Sequence, residues 1–120
     1  MLICHTEIQT GFYFILESAY TIGRLNTKCS DGAVTQIITK LSECKAAVRQ
    51  LNGHSYNLDV PEQESTATWP YGCYRLKDKS EVYFNRNKRV HRVRNRNARP
   101  ICIEGNKIRA FLYIPDNSNT

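Results

Sequence analysis

Residues 69–85, WPYGCYRLKDKSEVYFN, place the heaviest constraint on the fold. They gather a tryptophan, a proline, a glycine, a cysteine and four further aromatics into seventeen positions. Residues 74–77 and 81–84 read as short strands on either side of Asp78, Lys79 and Ser80, a polar turn that joins hairpin strands. Cys73 stands at the mouth of this hairpin, directly after a Pro-Tyr-Gly turn. A crosslink at that position ties the ribbon to whatever packs behind it.

The spacing predicts a helix over 39–51. Leu41, Cys44, Ala47, Val48 and Leu51 recur at helical intervals and form one apolar stripe, which turns Cys44 inward. Thr39 or Ser42 is expected to cap the start, and Asn52-Gly53 to supply a left-handed stop. Residues 1–10, with Cys4 and His5, read as an arm. A strand is expected over 11–18, resuming over 20–25 after a kink. Residues 26–32 are turn chemistry around Cys29, and 34–38 a short strand. Residues 54–68 lack periodicity and read as a long surface loop. A second hairpin is predicted from 101–104 and 107–114 across Gly105-Asn106, with Ile108, Ala110, Leu112 and Ile114 on its core face. Residues 115–120 are a polar tail. The chain thus reads as one domain over 11–114, of α+β class: a helix packed on a small antiparallel sheet with two hairpins.

Several of these residues carry a resemblance. Phe12 to Leu16 and Cys29, then Ile37, Thr39, Glu43, Cys44, Ala47 and Leu51, then Pro70, Gly72, Cys73, Tyr74, Val82, Tyr83, Phe84 and Asn85, and finally Pro100 to Ile103, form a pattern. That pattern resembles a small cysteine-containing domain of predicted algal, protist and marine invertebrate proteins. The P-x-G-C-Y…V-Y-F-N portion is its most specific part. The resemblance implies an architecture and a disulfide framework, and no activity. Two departures stand out: the basic character of 85–100, and the added strand after it.

Cys29, Cys44, Cys73 and Cys102 are 15, 29 and 29 residues apart, without a C-x-x-C pair. Zinc sites draw ligands in close pairs, so a structural metal is disfavoured and no cofactor is expected. Two disulfides are the better expectation; buried reduced thiols are the plain alternative. Of three connectivities, the preferred one joins Cys44 to Cys73, helix to hairpin, and Cys29 to Cys102. Cys4 is left over as a free thiol on the arm.

Seventeen basic residues against eleven acidic ones give a net charge of +6, and the excess is local. Residues 85–99 hold Arg86, Lys88, Arg89, Arg92, Arg94, Arg96 and Arg99. In an extended strand Arg92, Arg94 and Arg96 project to one face, a comb that can fork onto sulfate, phosphate or carboxylate. The same run suits a nucleic-acid backbone, with Tyr83 or Phe84 available for stacking. The plain reading is a solvated basic loop. Trp69 and Tyr83 are the aromatic pair to test for ligand contact; the plain reading makes the aromatics core and turn packing.

Enzyme signatures are absent. His5, His54 and His91 lie in unrelated contexts, and Asp59, Glu62 and Glu64 read as solubilising charges. No run of eighteen apolar residues is present, so no membrane span is expected. The first residues lack a basic signal-peptide start, which conflicts with the oxidising setting the cysteines favour. The expected role is a non-catalytic extracellular or lumenal binding module, its basic segment contacting acidic glycans or an acidic partner surface. A small structural subunit of a larger assembly is a second reading, and an intracellular nucleic-acid binder a third.

Overall fold

The computed structural model describes the backbone of residues 12–31 and 35–112, and the side chains of 19–31 and 35–105. The expected arm, tail and Cys4, and the core face of 108–114, lie outside the described side chains. The chain divides into two compact units, Ala19–Gly105 and a second combining Met1–Ser18 with Asn106–Thr120. In the second unit the described part is strand backbone, at 12–18 and 106–112. Ala19–Gly105 holds the helix and both disulfides.

Among the described residues one helix packs on a mixed six-stranded sheet. The strands are β1 (Phe12–Ile22), β2 (Gln36–Ile37), β3 (Glu62–Glu64), β4 (Gly72–Leu76), β5 (Val82–Asn85) and β6 (Ala98–Leu112), in spatial order β1-β6-β4-β5-β3, with β2 also on β6. The α+β class is therefore as expected. The central hairpin forms β4 and β5, with Cys73 opposite Phe84 and Tyr74 opposite Tyr83. Its turn closes where the Leu76 amide donates to the Glu81 carbonyl and the Lys79 amide to the Leu76 carbonyl.

Three expectations need correction. Gly105-Asn106 does not turn the chain: β6 runs unbroken from Ala98 to Leu112, with Gly105 at φ +123 inside it. A Gly-Asn pair permits a hairpin but does not compel one when the flanking residues find other strand partners. The supposed loop at 54–68 carries β3, which pairs parallel to β5, Gln63 opposite Phe84, so the sheet is mixed. The helix α1 (Leu41–Asn52) starts from Lys40 without a side-chain cap, and Gly53 at φ −67 is not left-handed. Asn52 instead ends the helix by folding the chain back. Its side chain accepts from the Leu58 amide at 2.7 Å and donates to the Leu58 carbonyl at 3.0 Å.

Side chains alternate across a strand, so the registers assign two faces. Cys73, Val82, Phe84 and Ile101 face the helix and meet its buried stripe of Cys44, Ala47, Val48 and Leu51. Each large apolar side chain buried there contributes about 1.5–3 kcal/mol. Tyr74, Tyr83, Asn85, Pro100 and Cys102 lie on the opposite face. Each face carries one disulfide. Cys44–Cys73 pins the helix, Cα atoms 5.5 Å apart, and Cys29–Cys102 pins the loop after β1, Cα atoms 5.7 Å apart. Both pairings are those preferred from the sequence.

Gly72 admits β2 against β4. Its φ is +96, and a Cβ there would stand 3.0 Å from both Ile37 Cγ1 and the Ile38 carbonyl oxygen. Only glycine satisfies the backbone angle and the approach together.

Candidate anion-binding segment

Residues 86–97 leave β5 and return to β6, and their asparagines give this excursion its shape. Asn85 is fully buried. Its carbonyl oxygen accepts from the amides of Thr66 and Asn87, and its amide donates to the Trp69 carbonyl at 2.9 Å and to the Thr66 carbonyl and hydroxyl. Asn87 donates to the Thr66 carbonyl and accepts from the Arg89 amide, starting a short 3-10 helix, Lys88–Val90. Asn95 donates to the Thr68 carbonyl and accepts from the Asn97 amide. Its own carbonyl receives the Asn26 amide at 3.1 Å. Short amide side chains bond backbone groups readily, which suits them to hold irregular chain.

The arginines are left to point outward. Arg86, Lys88, Arg89, Arg92 and Arg96 are exposed. Among the described residues the single ion pair is that of Arg94, whose Nε and Nη2 each lie 2.9 Å from an oxygen of Asp31. The extended comb is thus overturned: 3-10 and turn backbone replaces a strand over these residues, and Arg94 is committed to Asp31. The Arg94 hydrogen bonds, followed by the Lys28 amide, lower the Asp31 carboxyl to a pKa of about 2, and Asp31 in turn raises that of Arg94. Arg99 belongs elsewhere, half-buried on β6 directly opposite Arg75 of β4.

Trp69 and Tyr83 flank Tyr74 in a continuous stack. Ring centroids are 5.4 Å apart for Trp69–Tyr74 and 5.8 Å for Tyr74–Tyr83. Tyr74 is buried and donates to Glu64; burial and then that carboxylate push its phenol up. Tyr83 donates to Glu81 at 2.7 Å, and this bond, with burial and the charges of Glu81, Glu62 and Glu64, pushes it up to about 12. The outer aromatic therefore stands among carboxylates, a poor platform for a phosphate chain. Among the described residues no group of three histidines, cysteines or carboxylates could hold a metal, and no helix is long and apolar enough to cross a membrane.

Sequence reasoning found the cations but not what arranges them. The signal was present as asparagines alternating with arginines over 85–97. It was legible only as composition until their partners at Thr66, Thr68 and Asn26 came into place. No family model, curated protein or solved structure matches the chain.

Proposed function

We propose that this chain is a non-catalytic binding module of an extracellular or lumenal setting, which contacts acidic glycans, or an acidic partner surface, through residues 86–96. One observation carries the reading. Arg86, Lys88, Arg89, Arg92 and Arg96 are all exposed, and none makes an ion pair among the described residues, on a segment whose shape is held by asparagines instead. Guanidiniums presented on a fixed backbone lose less entropy when they fork onto sulfate or carboxylate groups. Two disulfides fit the oxidising setting, since such bonds persist outside the reducing cytosol. They weigh against an intracellular nucleic-acid binder, as do the carboxylates around Tyr83. We read the motif resemblance as shared architecture on which this basic segment is an addition.

Heparin and polyglutamate, titrated into the oxidised protein at low and high salt, test the proposal. Contact through all five cations should weaken on the order of a hundredfold between 50 and 200 mM salt, by release of counterions. Replacing the five by glutamine should abolish binding. Affinity that ignores both salt and these substitutions would remove the proposal.

A further inference from the structure

A second cationic feature lies on the helix-facing side of the sheet, apart from the basic segment. Arg75 of β4 and Arg99 of β6 are directly opposed across an antiparallel pair. Opposed residues have Cβ atoms about 4.5–5.5 Å apart and share a face, and like charges so placed repel. Neither arginine forms an ion pair, since that of Arg94 and Asp31 is the one formed among the described residues. The two guanidinium-bearing chains border a cavity of about 210 Å³ together with Ile22, Tyr56 and Asp78.

The local structure presets this cavity. The Arg75 Nε donates to the Lys79 carbonyl at 2.6 Å, which fixes the plane of the guanidinium and leaves its outer nitrogens for a ligand. Tyr56 is brought in by the chain reversal after α1, where its amide donates to the Leu51 carbonyl at 3.3 Å. Tyr56 is 40% exposed, more than any other aromatic residue among those described. Asp78 belongs to the hairpin turn, held at φ +55. It lines the rim without pairing with either arginine.

We propose that Arg75, Arg99 and Tyr56 form a discrete site for one tetrahedral oxyanion, the sulfate or phosphate group of a small ester. Two guanidiniums lining one cavity supply N–H donors for such a group, and the anion offsets their mutual repulsion. The phenol adds a donor, and the mostly polar lining suits the charged group of the ester, whose carbon part extends out of the cavity. Asp78 sets the selectivity by repelling ligands with a second negative charge near the rim. This site does not depend on the exposed cations of 86–96.

The test uses the full oxidised chain and NMR signals of the arginine Nε–H groups and Tyr56. Sodium sulfate and sodium phosphate are titrated against sodium chloride at matched ionic strength; glucose 6-sulfate and glucose 6-phosphate then distinguish the two ester sources. Saturable shifts confined to Tyr56, Arg75 and Arg99 are expected with at least one member of each pair. R99Q should weaken binding about tenfold or more, by loss of charged hydrogen bonds. D78N should tighten it about threefold, by removing a screened repulsion. The five-residue glutamine variant of segment 86–96 should bind sulfate or phosphate like the native chain even if heparin binding is lost. Shifts no different from those of chloride would overturn the site, as would an unchanged midpoint in R99Q or loss of small-anion binding in the segment variant. Should R99Q fail to fold, D78N decides alone, because unaltered binding there also overturns the site.

Discussion

Arg94 grips Asp31 across 63 residues of sequence, with two nitrogens each 2.9 Å from a separate carboxylate oxygen. The pair ties the loop after β1 to the basic segment. It also takes one guanidinium out of the set available to a ligand.

The pH dependence of that pair has a definite sign. The folded-state pKa of Asp31 is about 2, below the ordinary 3.8, so the bridge contributes fully above the ordinary value and is lost as pH falls through the lower one. A carboxyl-carbon NMR titration should place the Asp31 midpoint near 2. A midpoint at the ordinary value would mean the bridge does not hold in solution. Asp31→Asn should free Arg94, and retention on heparin should then extend to higher salt.

Asn85 should be the most sensitive polar position on the sheet. It is 0% exposed, and each backbone partner at Thr66, Trp69 and Asn87 loses its bond if the amide is removed. Asn85→Ala should cost about 1–3 kcal/mol, the range for a buried group left unsatisfied. The denaturant midpoint measures this, and a loss below about 0.5 kcal/mol would show that water replaces the amide.

Gly72 and Gly105 separate two costs of adding a methyl group. Both have positive φ, +96 and +123, yet a Cβ at Gly72 meets Ile37 and Ile38 at 3.0 Å while one at Gly105 meets nothing within 4 Å. Alanine at Gly105 should cost about 1–2 kcal/mol of backbone strain alone, and alanine at Gly72 clearly more. Equal losses of stability in chemical unfolding would mean that β2 moves aside without penalty.

The two disulfides should differ modestly in what they contribute. They close separations of 29 and 73 residues, for which chain entropy gives about 3.5 and about 4.5 kcal/mol. Paired serine replacements, compared by unfolding free energy, should therefore show the larger loss for Cys29–Cys102. The reverse order would assign the stabilisation to helix docking rather than to loop closure.

Particular residues show how far the chain could be read unaided. The stripe of Leu41, Cys44, Ala47, Val48 and Leu51 announced the helix, because an apolar face repeating at 3.6 residues has few other uses. Tyr74, Val82 and Phe84 announced the hairpin by alternation around a polar turn. With Cys44 on the inner face of one element and Cys73 at the mouth of the other, the first pairing was also within reach. β3 was not. Glu62, Gln63 and Glu64 carry no apolar alternation, and their strand exists only because β5 offers an open edge to pair with. Nor was the fate of Gly105-Asn106 legible, since β6 runs straight through it.

Local periodicity, turn chemistry and charge by themselves determined the helix, the central ribbon, the α+β class and a surplus of cations before Pro100. Only the folded chain decided which cations remain free. Asp31, Thr66 and Thr68 are remote in sequence from Arg94, Asn85 and Asn95, and nothing local to the segment encodes those meetings. They arise because strand pairing brings distant loops together, where asparagine holds the chain by hydrogen bonds and most of the arginines reach outward.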